Sequence, residues 1–123
     1  MSSRKATGDF GEDLAARWLE KRGWRILARQ FRIRGGELDL IAERKEELAF
    51  VEVKTRRSRL GGWPEEAVTA GKQEKLWRAA ESWLAREEEA GRDFSKRRPL
   101  LAIVAILLRG EEAELRWIEL EGS

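Results

Sequence analysis

The sequence predicts an α/β fold in which helices flank a mixed central sheet, with its elements in the order αβββαβ(β). Two segments, 8–23 and 68–91, have apolar residues at helical spacing, and each ends at a glycine. Five shorter segments have strand composition and are separated by charged or glycine-containing turns. The 123 residues are 41% hydrophobic, enough for one domain with a real core, so we expect residues 1–123 to fold as a single domain.

The first predicted helix carries an acid close to its apolar side. At about 100° per residue, Phe10, Leu14 and Trp18 form an apolar stripe. Glu12 falls at the edge of the buried face, next to the small Ala15. Two interpretations of Glu12 stay open: a functional carboxylate, or an acid near the helix N-terminus that the helix dipole stabilises.

A hairpin is predicted where the polar sequence RKEE joins two strand-like runs, ELDLIAE and LAFVEVKTR. With Lys45 and Glu46 at its tip, Asp39 faces Glu52 on the neighbouring strand. Lys54 points to the same side as Glu52, because alternate residues of a strand share a face. This register places two carboxylates and an ammonium group together in otherwise apolar strands.

Two facing carboxylates repel each other, so the predicted Asp39–Glu52 pair needs a counter-charge. A divalent cation would supply it, because carboxylates, waters and the Val53 carbonyl are oxygen ligands of the kind that Mg²⁺ or Mn²⁺ prefers. Lys54 would then orient an attacking water or stabilise negative charge in a transition state. The alternative is a solvated edge strand in which Asp39 and Lys54 form a structural ion pair.

The composition limits the chemistry that the chain can perform. It contains no cysteine, histidine or tyrosine, which excludes a thiol or tyrosine nucleophile, a histidine base and histidine-ligated zinc. Charged residues make up 39% of the chain at a net charge of only +2, which fits nucleic-acid contact and equally a surface adapted for solubility or heat stability. The N-terminal residues lack the apolar run of a signal peptide, so we expect a cytoplasmic protein.

The sequences GGELDLIA and FVEVKTR resemble the signature motifs of the PD-(D/E)XK nuclease superfamily, which has the restriction endonuclease-like fold. With GDFGEDLAARWLEKRGWRIL before them and GWPEEAVTAGKQEKL after them, the order of motifs is similar to that of the YraN family of predicted endonucleases, relatives of archaeal Holliday junction resolvases. The resemblance extends from about Gly8 to Leu84. It implies a restriction endonuclease-like core and a metal-dependent endonuclease that hydrolyses DNA phosphodiester bonds, with branched DNA as one candidate substrate.

The resemblance also implies roles for particular residues of this chain. It implies that Asp39 and Glu52 bind Mg²⁺ or Mn²⁺, and that Glu12 completes the metal site from the first helix. Lys54 would be the catalytic lysine. Gln73 matches the glutamine of the second helix in these nucleases, which would explain an amide on an otherwise apolar stripe.

Some positions extend the resemblance and others depart from it. Glu37, in the Gly-Glu-x-Asp motif, is a further candidate beside Asp39. Gln30 stands where an Asn is expected, and the late core strand opens with Leu100 instead of an Arg-Phe-Asp type pattern. None of these departures is at a predicted metal ligand. They affect residues that would support the site or contact a second subunit. Analogy with resolvases, which cut two strands, leaves a homodimer open.

Basic residues cluster in the sequence around the predicted site, where they would hold the phosphates of DNA. They are Arg32, Arg34, Arg56, Arg57 and Arg59. Trp63, in a glycine-rich loop, is a candidate for stacking on an exposed base, whereas the other tryptophans fit core positions. The alternative is a solvated basic surface. A non-catalytic nucleic-acid-binding protein and a structural or partner-binding protein are therefore the competing functions.

Overall fold

The computed structural model describes the backbone of residues 3–57 and 69–120, and side chains from residue 8 onward in those ranges. Its elements are α1 (Ser3–Lys21), β1 (Arg25–Ile33), β2 (Gly36–Arg44), β3 (Glu47–Arg56), α2 (Ala70–Glu89), β4 (Arg98–Arg109) and β5 (Glu112–Glu119). The predicted order of helices and strands is confirmed. Neither described helix has the length and apolar character needed to cross a bilayer. Arg59 and Trp63 lie outside the described residues.

The five strands form one open mixed sheet in the order β1-β2-β3-β4-β5. All neighbouring strands are antiparallel except β3 and β4, which are parallel. A parallel pair needs a long crossover, and the connection that contains α2 supplies it. Residues Leu100–Leu108 of β4 are all buried, which confirms the buried strand predicted there. The sheet is therefore the mixed central sheet that the sequence predicts.

One helix covers each face of the sheet, and β3 shows the division. Ala49 and Val51 pack in the cluster that contains α1, whereas Leu48 and Phe50 pack in the cluster that contains α2. Because alternate residues of a strand point to opposite faces, Glu52 continues the series that faces α2. The two helices thus bury the sheet from both sides.

The predicted hairpin between β2 and β3 is confirmed over most of its length. Its turn lies at Lys45 and Glu46, and Ile41 pairs with Phe50 as the register predicts. Lys45 adopts a φ of 54°, in the left-handed region that tight turns use. The position of the turn sets which residues of the two strands are opposite each other.

The buried face of α1 differs from the predicted stripe. It consists of Gly11, Glu12, Ala15, Ala16 and Leu19. Phe10, which we predicted in the stripe, is instead 54% exposed. The helix begins at Ser3, so Glu12 lies beyond the first turn, and its interpretation as an acid stabilised by the helix N-terminus is wrong. Three of these five residues, Gly11, Ala15 and Ala16, are small, which lets the helix approach the sheet closely.

The spacing of Trp77, Ala80 and Leu84 predicts the apolar stripe of α2, and the buried face is displaced from it by one residue. Leu76, Ala79, Ala80 and Trp83 are buried, whereas the predicted Trp77 and Leu84 are only half-buried. Thr69 caps the helix, because its side chain accepts a hydrogen bond of 3.2 Å from the Lys72 N–H. The cap fixes the first turn of α2 close to the sheet.

Gly11 is required by the close contact between α1 and β3. A Cβ at this position would overlap the Thr55 hydroxyl and lie 3.2 Å from the Thr55 Cβ, whereas a Cβ at Gly8 would meet nothing within 4 Å. We expect Gly11→Ala to lower the free energy of unfolding by roughly 1–3 kcal/mol because of this overlap. Gly8→Ala is expected to raise it by about 0.5–1 kcal/mol through helix propensity. Urea unfolding checks both variants, and stabilisation by Gly11→Ala would contradict the close contact.

Candidate functional site

Asp39 lies where the pairing of β2 with β3 ends. The paired residues stop at Leu40 and Val51, one step short of the predicted Asp39–Glu52 pair. At this point the Asp39 Oδ2 accepts a hydrogen bond of 2.6 Å from the Val53 N–H. A side chain therefore provides the acceptor for a backbone donor of β3. The bond holds the Asp39 carboxylate beside the segment of β3 that carries Glu52.

The charges that shift the pKa of Asp39 belong to other acids. The pKa of Asp39 is raised from 3.8 to about 6, chiefly by burial and also by the negative charges of Glu52, Glu12 and Glu37, against the opposing hydrogen bond from the Val53 N–H. A carboxylate among carboxylates is unfavourable when ionised, and a bound cation relieves the repulsion. The electrostatics of Asp39 thus favour a proton or a metal ion.

Glu52 is buried on the α2 side of the sheet, with 6% of its surface exposed. Its Oε1 atom lies 3.1 Å from Lys72 Nζ and 3.7 Å from Lys54 Nζ. Its Oε2 atom is buried and has no hydrogen-bond partner among the described residues. An unsatisfied buried acceptor costs on the order of 1–3 kcal/mol, which a bound cation or water would recover. Lys54 pairs with Glu52 here, so the alternative of an Asp39–Lys54 ion pair is not what forms.

Glu12 is held from β1. Arg29 Nε donates to Glu12 Oε1 at 3.0 Å, and Gln30 Nε2 donates to Glu12 Oε2 at 3.3 Å. Gln30 has a φ of 50°, an unfavourable region for a residue other than glycine. Gln30, the departure from the expected Asn, thus supports an acid of the site. Neither partner of Glu12 followed from the sequence pattern.

A cavity of about 930 Å³ opens between α1 and strands β1, β2 and β3. Its charged lining includes Glu12, Glu37 and Asp39 together with Arg29 and Arg32. The acids lie on two elements, α1 and β2, and the arginines lie on β1. This arrangement combines carboxylates for a cation with guanidinium groups for a phosphate.

The donor set fits a hard metal ion held by two carboxylates. Within residues 3–57 and 69–120, no group of three or more acidic side chains converges closely enough to hold a metal ion. Mg²⁺ usually takes only one or two carboxylates and completes its shell with water, so Asp39 and the unpaired oxygen of Glu52 remain the candidate donors. Neither Glu52 nor Lys54 lines the cavity that contains Asp39. Glu12, predicted as a third ligand, has both oxygens engaged by Arg29 and Gln30.

The predicted DNA-contacting residues that the structure describes are exposed at the end of the sheet that carries Asp39. They are Arg32, Arg34, Arg56 and Arg57. Arg32 Nε lies 3.3 Å from Glu37 Oε1. Gln73 is half-buried on α2 next to Lys72 and does not line the cavity that contains Asp39.

The fold and the site together define a class: a mixed α/β protein with an open five-stranded sheet, a helix on each face and buried acids at one end of the sheet. The profile of the family described as Uncharacterised protein family UPF0102 matches residues 11–106. The chain belongs to the UPF0102 family. The match includes Glu12, Asp39, Glu52 and Lys54.

Relatives of this chain are similar over most of their length. A UPF0102 protein of Syntrophotalea carbinolica is 44% identical over 112 residues, which cover 91% of this chain and 87% of the relative. One of Caldanaerobacter subterraneus is 38% identical over 113 residues, covering 92% and 88%. One of Symbiobacterium thermophilum is 55% identical over 86 residues, covering 70% and 71%. The similarity therefore covers at least 70% of each of these chains and not only a short shared segment.

Proposed function

We propose that this protein is a Mg²⁺- or Mn²⁺-dependent endonuclease that hydrolyses DNA phosphodiester bonds. The observation that carries the proposal is the environment of two acids, Asp39 and Glu52. Asp39 is half-buried among carboxylates, and Glu52 keeps a buried oxygen without a hydrogen-bond partner among the described residues. Both features are unfavourable in the protein alone and are relieved by a cation. The resemblance to PD-(D/E)XK nucleases supports the same chemistry from the motifs.

Each side chain of the site has a defined part in this mechanism. When bound, the metal ion supplies a more acidic water and neutralises charge on the phosphate. Asp39 and Glu52 would hold the ion through carboxylate oxygens, and the Val53 N–H keeps Asp39 in position. Lys54 donates a hydrogen bond to the attacking water or to a phosphate oxygen, which stabilises the negative charge of the transition state.

The basic residues at the same end of the sheet would hold the DNA. Arg32, Arg34 and Arg56 are exposed there, and contacts to phosphates make affinity strongly dependent on salt. Phosphate contacts position a duplex but do not read its sequence. We therefore propose selection by DNA structure, with branched, Holliday-junction-like DNA as the candidate that the motif resemblance favours.

A non-catalytic nucleic-acid-binding protein is the second candidate. It is favoured by the ion pairs that already neutralise Glu12 and Glu52. It does not account for Asp39, because a half-buried carboxylate next to a DNA-binding surface repels phosphates. The enzyme explains this residue and is the preferred proposal.

Incubation with linear, flapped and four-way-junction DNA tests the proposal. We expect cleavage of at least one substrate in Mg²⁺ or Mn²⁺, none in EDTA, and none by Glu52→Ala purified in parallel. Equal cleavage by the variant would indicate a contaminating nuclease. Calorimetry with Mn²⁺ adds a readout that does not depend on substrate choice. Metal-independent DNA binding, with no heat from Mn²⁺ and no cleavage, would favour the binding protein.

A further inference from the structure

Lys72 forms the shorter of the two ion pairs to Glu52, although it lies on a different element. It comes from the first turn of α2, and its Nζ lies 3.1 Å from Glu52 Oε1, compared with 3.7 Å for Lys54 of the same strand. The side chain of Lys72 is 42% exposed, whereas that of Glu52 is 8% exposed. The acid is therefore fixed in the interior, and the lysine side chain has room to change partner.

The backbone that carries Lys72 is held against the sheet. Thr69 caps the first turn through the Lys72 N–H, and a Cβ at Gly36 of β2 would lie 2.9 Å from the Lys75 carbonyl oxygen. This close approach leaves no space for the helix to shift toward β2. Any change of partner must therefore come from the Lys72 side chain and not from the helix.

Lys72 also lines a second cavity of about 390 Å³, which we call the basic cavity. Its charged lining consists of Arg32, Lys72, Lys75 and Glu37. Arg32 and Glu37 line the cavity that contains Asp39 as well, so the two cavities meet at this ion pair. Three cations against one acid make the basic cavity suitable for an anion such as a phosphate.

A divalent ion on Glu52 would change the balance that holds Lys72 in place. Glu52 carries one negative charge, and two ammonium groups already share its Oε1 atom. A metal ion would take up that charge and repel the nearby ammonium groups. Lys54 is attached to the same strand, two residues from Glu52. The Lys72 side chain, by contrast, lies beside the basic cavity and can move into it.

We propose that Lys72 exchanges partners: it neutralises Glu52 in the metal-free protein, and binds a phosphate of the DNA backbone in the basic cavity once a metal ion occupies Glu52. This inference rests on the proposed function. It makes Lys72 a substrate-binding residue and couples DNA affinity to metal occupancy. Metal binding therefore strengthens DNA binding in two ways, through the ion itself and through the released lysine.

The test compares Lys72→Gln with Lys75→Gln, which lies one turn later in the same cavity without an ion pair to Glu52. Calorimetry measures Mn²⁺ affinity, and fluorescence anisotropy measures DNA affinity in Ca²⁺ and in EDTA. Lys72→Gln is expected to bind Mn²⁺ about three- to tenfold more tightly, because a competing cation is removed. In Ca²⁺ it is expected to bind DNA more weakly, with the salt dependence reduced by about one phosphate contact.

Lys75→Gln is expected to weaken DNA binding and to leave Mn²⁺ affinity unchanged. Lys45→Gln, at the hairpin turn, should change neither quantity. Lys72→Arg keeps the charge and is expected to restore the metal affinity of the unsubstituted protein, which provides a second readout if Lys72→Gln folds poorly. Thermal unfolding without metal should show a lower melting temperature for Lys72→Gln, because Glu52 loses its closest partner.

The outcomes separate this inference from the proposed function. If the unsubstituted protein binds Mn²⁺ and Lys72→Gln binds it with the same affinity, the exchange is overturned and the nuclease proposal stands. If Lys72→Gln binds Mn²⁺ more tightly but binds DNA with unchanged affinity, only the proposed contact between Lys72 and a DNA phosphate is overturned. No Mn²⁺ binding by the unsubstituted protein overturns both.

Discussion

Glu52→Gln is expected to reduce metal-dependent cleavage by at least about 10³-fold, the scale of losing a group that stabilises transition-state charge. Glutamine has nearly the same shape but no charge, so it cannot balance a divalent ion. It also leaves Lys54 and Lys72 without the carboxylate that they share. Single-turnover cleavage of the preferred substrate, together with Mn²⁺ calorimetry, measures both consequences.

Glu47→Gln is the matched control for this change. Glu47 lies on the same strand and also pairs with two cations, Arg44 and Arg98. It is the first residue of β3, at the end of the strand away from the candidate site, so its loss should lower stability slightly without changing the cleavage rate of the folded protein. Retention of cleavage within tenfold by Glu52→Gln would contradict the role of Glu52 as a metal ligand.

Asp39→Asn is expected to stabilise the metal-free protein at pH 7 by roughly 1–3 kcal/mol. The pKa of Asp39 is raised from 3.8 to about 6 in the folded state, so its protonation stabilises the fold. That contribution is fully present below about pH 4 and is lost as the pH rises through 6. Asparagine does not ionise, and its side-chain oxygen still accepts the hydrogen bond from the Val53 N–H.

Urea unfolding of both proteins between pH 4 and 7 checks this expectation. The difference in the free energy of unfolding should be small at pH 4 and grow as the pH rises through 6, since the other titrating groups are common to both proteins. Mn²⁺ should raise the melting temperature of the unsubstituted protein and leave that of Asp39→Asn unchanged. A variant that is less stable at pH 7, or a difference independent of pH, would contradict the unfavourable charge at Asp39.

Together, Glu52→Gln and Asp39→Asn would show that the candidate site lowers the stability of the folded protein while it serves the function. Asp39 and Glu52 both carry features that destabilise the protein alone: a crowded negative charge in one and an unsatisfied buried oxygen in the other. Natural proteins retain such features where activity requires them. Acids that destabilise the metal-free protein are therefore a physical reason to look for a ligand.

The order of the elements and the register of the hairpin were predictable from the sequence because both depend on local patterns. Alternating apolar residues define β2 and β3, and the polar turn at Lys45 and Glu46 aligns them, so Ile41 meets Phe50 as expected. The candidate acids Glu12, Asp39 and Glu52 were also identifiable, since each interrupts an apolar pattern. A charge at a position that burial should exclude is a signal that the sequence carries by itself.

The partners of those acids were decided by the tertiary structure. Arg29 and Gln30 bind Glu12 from a different element, and Lys72 reaches Glu52 across the face of the sheet. No periodicity links residues so far apart in the chain, because their proximity depends on how closely each helix packs on the sheet.

The sequence by itself thus determined the elements, the hairpin and the acids of the candidate site, because local periodicity and turn chemistry act over a few residues. The tertiary structure decided which faces of the helices are buried, since the small residues Gly11 and Gly36 set distances that hydrophobic patterns do not record. It also decided that Asp39 lies among acids while Glu52 is shared by two lysines. Electrostatic environments depend on distances in space, and only the folded chain brings these charges together.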